Sequence, residues 1–280
     1  MLTPTVVGLT LHHRNAALTA ACINSLLSHN AHHVLVVDNS ADGGHSADSL
    51  HVMTKQKHRV SIVSPEYNLG FAAGVNKGLE EIAARFPDSQ VLLINNDAIL
   101  LPRALDLLCS QLILNPEAML VYPSIDHGGW VRGTVYYHRL TGLITDKQLP
   151  GSFSYPSGCC ILINLIKTGT RLFDEDFFMY GEDIELGARL GSIPGAMIHV
   201  PSLLVRHEGS ASSGMATRFY ETRIAKSHII LISKLSKNGI DRLMMTIGRI
   251  LILPTRALIR CIRYRSTMPL KALYHALVDA

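Results

Sequence analysis

The first 110 residues alternate short apolar runs with segments of helical spacing, and this constrains the fold more than any other feature. TVVGLTL (5–11), HVLVVDNS (33–40), RVSIVSP (59–65) and VLLINNDAIL (91–100) have strand-like patterns. Between and after them lie AALTAACINSLL (16–27), NLGFAAGVNKGLEEIAARF (68–86) and PRALDLLCSQLI (102–113), the last opening with Pro at a helix start. Strands separated by helices pair in parallel through right-handed crossovers, which predicts an α/β chain with a mainly parallel sheet. Ligands of such open sheets bind beyond the carboxyl ends of the strands. Those ends carry Thr10, the Asp38 and Asn39 pair, and Asn95, Asn96 and Asp97.

From 119 to 165 the pattern changes to short β-like pieces between Gly and Pro, predicting a mixed or antiparallel extension. AMIHVPSLLVRHEGSAS (196–212) reads as a strand or two ending in a polar, small-residue loop. Beyond Gly214 helical patterning dominates, with interruptions expected near Pro254 and Pro269. Charge divides the chain at the same place. From Arg218 onward twelve Lys and Arg stand against three acids, a net +9, which leaves fourteen against nineteen, a net −5, in residues 1–217. The expected organisation is a catalytic domain over 1–217 and a basic helical region over 218–280.

Hydrophobic residues make up 48% of the chain, but no run approaches the roughly 18–20 apolar residues of a membrane span. MLTPTVVGLTLHH lacks the basic, apolar and small-residue parts of a secretory signal, so a cytosolic location is expected. Five cysteines without CxxC spacing argue against a disulfide framework or a structural zinc site.

Several motifs carry chemistry. In FFMYGEDIELGARL (177–190) adjacent acids, Glu182 and Asp183, follow an aromatic run. Acids in a first helical turn are favoured by the helix dipole by roughly 0.3–1 kcal/mol each, which by itself accounts for them. On a helix, however, Asp183 shares the stripe of Leu186 and Leu190, while Glu182, Glu185 and Arg189 form a neighbouring polar face. A carboxylate on an inward face needs a partner or a task. Gly70 and Gly74 in YNLGFAAGVNKG allow close backbone approach at a helix start that can offer N–H groups to phosphate. Asp97 closes an apolar strand and can give a hard oxygen to Mg2+ or Mn2+, with His207 of VRHEGSAS as a second ligand. Each motif also has an ordinary turn or capping reading; their combination points to a nucleoside-diphosphate site with a general base.

The ordered set LTLHHRN, VLVVDNS, YNLGFAAGVNKG, VLLINNDA, SGCCILI, FDEDFFMYGEDIELGARL and VRHEGSAS resembles the family 2 glycosyltransferases of GT-A fold, particularly their rhamnosyltransferase-like branch, over about residues 5–212. The resemblance implies inverting transfer of a sugar from a nucleoside diphosphate to an acceptor hydroxyl, with a divalent cation. It places Thr10 and Asp38 against the nucleoside, Asn68 and Gly70 beside the ribose and diphosphate, and Asn95, Asn96 and Asp97 at the DXD-like position, with Asn95 replacing the first acid. Asp183 matches the general base, Glu182 its acidic neighbour, Arg189 an orienting or donor-contacting cation, and His207 and Ser212 the loop that closes near the diphosphate. Phe177, Phe178 and Tyr180 are expected to wall the base and raise its pKa by desolvation. LHHRN departs from the Thr, aromatic, Asn sequence more usual at the first strand end.

DRLMMTIGRILILPTRALIRCIRYR combines Leu, Ile and Met with spaced Arg, the composition of a helix at a membrane interface, packing on the body being the alternative. No motif for nucleic acid accompanies the charge. The full expectation is a metal-dependent inverting glycosyltransferase, peripheral on the cytoplasmic membrane face. It moves rhamnose from dTDP-rhamnose to a lipid-linked glycan of a bacterial surface polysaccharide. Galactofuranosyl or other deoxyhexosyl transfer is the nearest alternative, and a non-catalytic nucleotide-sugar-binding partner the alternative of a different class.

Overall fold

The computed structural model describes residues 4–207 and 217–278. The alternating segments build the parallel half of a nine-stranded sheet: β1 (Val6–His12), α1 (Ala16–Ser28), β2 (His33–Asp38), α2 (His45–Met53), β3 (Val60–Val63), α3 (Gly70–Arg85) and β4 (Gln90–Ile94), in strand order β3-β2-β1-β4. Period-2 alternation explains how this half is buried on both faces. Val34, Val36, Leu92 and Ile94 pack with α1, whereas Leu35, Val37, Val91 and Leu93 pack with α3. Helix α2 was not anticipated, because in HSADSLHVM only Ser46 and Leu50 are buried and the apolar period is faint.

The second half follows as β5 (Ala98–Leu100), α4 (Ala104–Leu114), β6 (Leu120–His127), β7 (Val131–Arg132), β8 (Val135–His138), β9 (Ile144–Thr145), β10 (Ser152–Tyr155), β11 (Cys160–Ile163), α5 (Leu165–Thr168), α6 (Glu182–Leu190) and β12 (Met197–His207). Beyond β4 the sheet runs β11-β6-β12-β5, with β11 antiparallel to both neighbours, and β10-β8-β9 form a separate antiparallel sheet. This is the GT-A-like arrangement with its mixed extension.

Two local expectations are corrected. VLLINNDAIL is not one strand: Ala98 N donates to Asn95 O at 3.0 Å in a turn, and β5 then pairs with β12 at the far edge. Pro102 does not begin α4, because Arg103 takes a left-handed conformation (φ 64°) before the helix starts at Ala104.

The C-terminal region forms α7 (Arg218–Leu235), α8 (Gly239–Tyr264) and α9 (Met268–Val278). Pro254 does not interrupt α8, since Leu253 and Ala257 beside it are buried with Ala225, Leu273 and Ala276 and hold the helix through the lost hydrogen bond. The breaks fall at residues 236–238 and 265–267, and Pro269 sits in the first turn of α9. These helices are anchored to the body. Buried Arg249 donates to Tyr137 Oη (2.8 Å), Leu140 O (2.7 Å) and Arg139 O (3.1 Å), Lys234 meets Asp174 (2.6 Å), and Arg139 meets Asp241.

Candidate active site

A cavity of about 540 Å³ opens beyond the carboxyl ends of β1, β2 and β4, where the sheet topology places it. Strand β1 runs to His12, one residue further than its apolar pattern, so Leu11, His12 and His13 line the cavity while Thr10 stays fully buried inside the strand and away from it. His12 Nδ1 bonds Thr19 Oγ1 at 2.7 Å, and burial pushes its pKa down. Asp38 is likewise buried and off the lining, its Oδ1 accepting from Ser40 N at 3.0 Å. Its neighbour Asn39 lines the cavity instead, donating to Gly70 O at 2.7 Å and so fastening β2 to the start of α3.

Asn68 and Gly70 both reach the cavity, and Asn68 Oδ1 accepts from Gly70 N at 2.8 Å. Gly70 has φ +79°, and a Cβ there would lie 2.3 Å from Phe178 O. Only glycine lets the α3 start approach the aromatic segment this closely, sealed by Phe71 N donating to Phe178 O at 2.6 Å.

Asn95, Asn96 and Asp97 all line the cavity from the turn after β4. Asn96 donates to Thr19 Oγ1 at 3.0 Å. Asp97 Oδ1 lies 2.9 Å from His207 Nε2, bringing together the last residue of β12 and the acid 110 positions earlier. His207 Nδ1 in turn lies 2.9 Å from His127 Nδ1, and burial, reinforced by His207, lowers the His127 pKa to about 4. Among the described residues no group of three or more His, Cys, Asp or Glu forms a metal cluster. Asp97 and His207 supply one hard oxygen and one imidazole nitrogen facing the cavity, a donor pair that fits a Mg2+ or Mn2+ ion retaining waters and taking substrate phosphate oxygens. Ser212 lies outside the described residues.

The acid pair enters through a sharp turn in which Tyr180 (φ 68°) and Gly181 (φ 96°) are left-handed, aiming both acids into the cavity at the first turn of α6. Asp183 Oδ1 accepts from Ile184 N at 2.9 Å and Oδ2 from Gly158 N at 3.5 Å. Desolvation raises the Asp183 pKa to about 6, against those backbone N–H groups. Glu182 is 5% exposed, and burial, then the neighbouring Asp183, pushes its carboxyl pKa well above the ordinary range. It is buried, whereas Glu185 and Arg189, on the polar face read for all three, are not.

Two further expectations fail on geometry. Arg189 is captured by Glu185 one turn earlier (3.0 Å) and by Leu172 O (2.6 Å), and does not reach the cavity or Asp183. Phe177 is 1% exposed and packs in the core with Tyr137, Ile184 and Leu231, so Phe178, Met179 and Tyr180 form the wall. Thr217, capping α7, and Phe219 in its first turn complete it, the latter a contribution unsuspected while 218–280 read as an appendage.

Residues 7–166 match the family model described as Glycosyl transferase family 2. Among curated proteins, the N-acetylglucosaminyl-diphospho-decaprenol L-rhamnosyltransferase of two Mycobacterium tuberculosis strains is 27% identical over 209 residues, covering 62% of this chain and 67% of the relative. Among solved structures, the crystal structure of S. aureus TarS 1-349 aligns with a TM-score of 0.55 at 11% identity, over 86% of this chain and 68% of that one. That likeness bears on the fold alone.

Proposed function

The chain belongs to glycosyl transferase family 2 and is a glycosyltransferase, and from that premise we propose that it transfers L-rhamnose from dTDP-rhamnose, with inversion, to a hydroxyl of a lipid-linked glycan during synthesis of a bacterial surface polysaccharide. The rhamnose and the lipid-linked acceptor are taken from the name of the mycobacterial relative. The observation that carries the reading is Asp183: a cavity-facing carboxylate with its pKa lifted to about 6 and its orientation held by two backbone N–H groups.

Inverting transfer needs a base that takes the acceptor proton as its oxygen attacks the anomeric carbon while the bond from that carbon to the diphosphate oxygen breaks. Asp183 is ionised near neutral pH and only weakly solvated, which suits that task. Glu182 beside it is driven toward its neutral form by burial and by Asp183 itself. Asn39 and Asn68 organise the loop before α3 against the donor. Asp97 and His207 would hold a divalent cation, which when bound supplies positive charge to the departing diphosphate. Phe178 and Tyr180 offer apolar faces to a 6-deoxy sugar and exclude water from Asp183.

The helical region supports a working location at a membrane surface. No helix among the described residues is long and apolar enough to cross a membrane. Along α8, Ile240, Leu243, Ile250, Leu251 and Ile262 are each more than half exposed among Arg residues, a surface suited to an anionic interface on the cytoplasmic membrane face. A non-catalytic role is disfavoured because Asp97 and Asp183 both face the one cavity.

The test is a panel of nucleotide sugars, with and without Mg2+ or Mn2+, using a lipid-diphosphate-linked N-acetylglucosamine acceptor. Cation-dependent transfer from dTDP-rhamnose is expected. Transfer from a galactofuranosyl or another deoxyhexosyl donor would replace the donor assignment, and no transfer from any donor would sink the enzymatic reading.

A further inference from the structure

A cavity that receives a nucleoside diphosphate must answer its negative charge, yet the described lining carries the carboxyl groups of Asp97, Glu182 and Asp183 and no Lys or Arg. The sequence between the two described stretches, EGSASSGMA (208–216), contains no Lys or Arg. A single cation held at Asp97 and His207 would have to offset both its own ligand and the substrate. Side-chain charge has to come from behind the lining.

Arg223 stands there. Its guanidinium carbon is 4.0 Å from the centroid of the Phe178 ring and 5.4 Å from that of Phe219, and both rings line the cavity. Phe219 and Arg223 are one turn apart on α7, so the face that brings Phe219 to the cavity brings Arg223 with it. Three other buried or part-buried arginines of these helices are tied down: Arg249 by Tyr137 and Leu140, Arg256 by His228, and Arg260 by Glu221. Arg223 is half-buried, rests on aromatic faces, and among the described residues has neither a carboxylate partner nor a hydrogen bond. Cation–π contact holds a guanidinium loosely and leaves its N–H donors free for an anion.

We propose that Arg223 is a donor-binding residue that turns from Phe178 and Phe219 into the cavity and hydrogen-bonds the diphosphate of the nucleotide sugar. As the bond to the anomeric carbon breaks, its electron pair passes to the diphosphate oxygen, and Arg223 stabilises that charge without transferring a proton. The assignment rests on the proposed sugar-transfer function and makes α7 part of the active site.

Calorimetric titration of dTDP, UDP, dTMP and UMP, at fixed Mg2+, into wild type, Arg223→Gln and Arg223→Lys tests it. Wild type is expected to prefer the diphosphate. Arg223→Gln should lose about tenfold or more of diphosphate affinity, with monophosphate affinity within about twofold of wild type, and Arg223→Lys should recover part of the loss. Equal loss for mono- and diphosphates, or none, overturns the assignment and leaves the function standing. A wild type that binds no nucleoside diphosphate overturns both.

Discussion

Asp183 is where the chemistry is most exposed to test. Because its folded pKa is raised to about 6, kcat is expected to climb with pH through about 6 and level off above it, as the base becomes ionised. A pH–rate profile checks this, and a profile that falls over that range would contradict it. The same shift predicts a stability effect. A raised carboxyl pKa favours folding fully below the unfolded value and loses that favour as pH rises through about 6. Asp183→Asn, which cannot ionise, should therefore be more stable than wild type above about pH 6, with the gap in urea midpoint vanishing below about pH 4. Residue types at strand ends announced this site, since polar groups closing apolar strands have few other reasons to be there. Arg189 misled although its spacing from Glu185, four residues earlier on the same face, already offered the ion pair that holds it. His12 and His13 were hidden among fourteen histidines. Arg223 lay in a region read for membranes.

At the scale of elements, the junction between the α3 start and the turn before α6 holds the donor loop and the acid pair in register. Gly70→Ala places a Cβ 2.3 Å from Phe178 O at a left-handed φ, so the two elements must separate. Lower Tm and weaker donor binding are expected together, measured by thermal unfolding and titration. Helix α8 carries a second prediction. Ile247 is 44% and Ile250 65% exposed, and burying what remains exposed of such side chains in an interface is worth on the order of 1 kcal/mol each. Replacing both by Glu should cut co-sedimentation with phosphatidylglycerol vesicles by about tenfold or more while leaving transfer to a water-soluble acceptor intact. Unchanged sedimentation would assign α8 to another partner. Periodicity located α1, α3 and α4 to within a few residues, because one face of each is apolar. It missed α2, whose burial is slight, and merged β4 with β5, because apolar residues on both sides of Asn95–Asp97 look continuous even though a turn separates them and the two strands pair with different neighbours.

In the whole molecule the basic region is both scaffold and surface. Its attachment to the body runs through Arg249, 2% exposed, and removing it leaves Leu140 O and Arg139 O without that donor. Arg249→Met is expected to cost on the order of 3 kcal/mol in urea unfolding. This attachment was illegible in the sequence because Tyr137, Arg139 and Leu140 are over 100 positions away from Arg249 and nothing local marks them as its acceptors. The mainly parallel character of the first half of the sheet, by contrast, followed from the alternation of strands and helices.

The central claim is that Asp183 deprotonates the acceptor in sugar transfer. The most direct measurement is the initial rate of dTDP release from dTDP-rhamnose, near neutral pH with divalent cation and lipid-linked acceptor, for wild type and Asp183→Asn. The account predicts turnover by wild type and a fall of about 100-fold or more in the variant, with donor affinity preserved. An Asp183→Asn chain that transfers at the wild-type rate would contradict it.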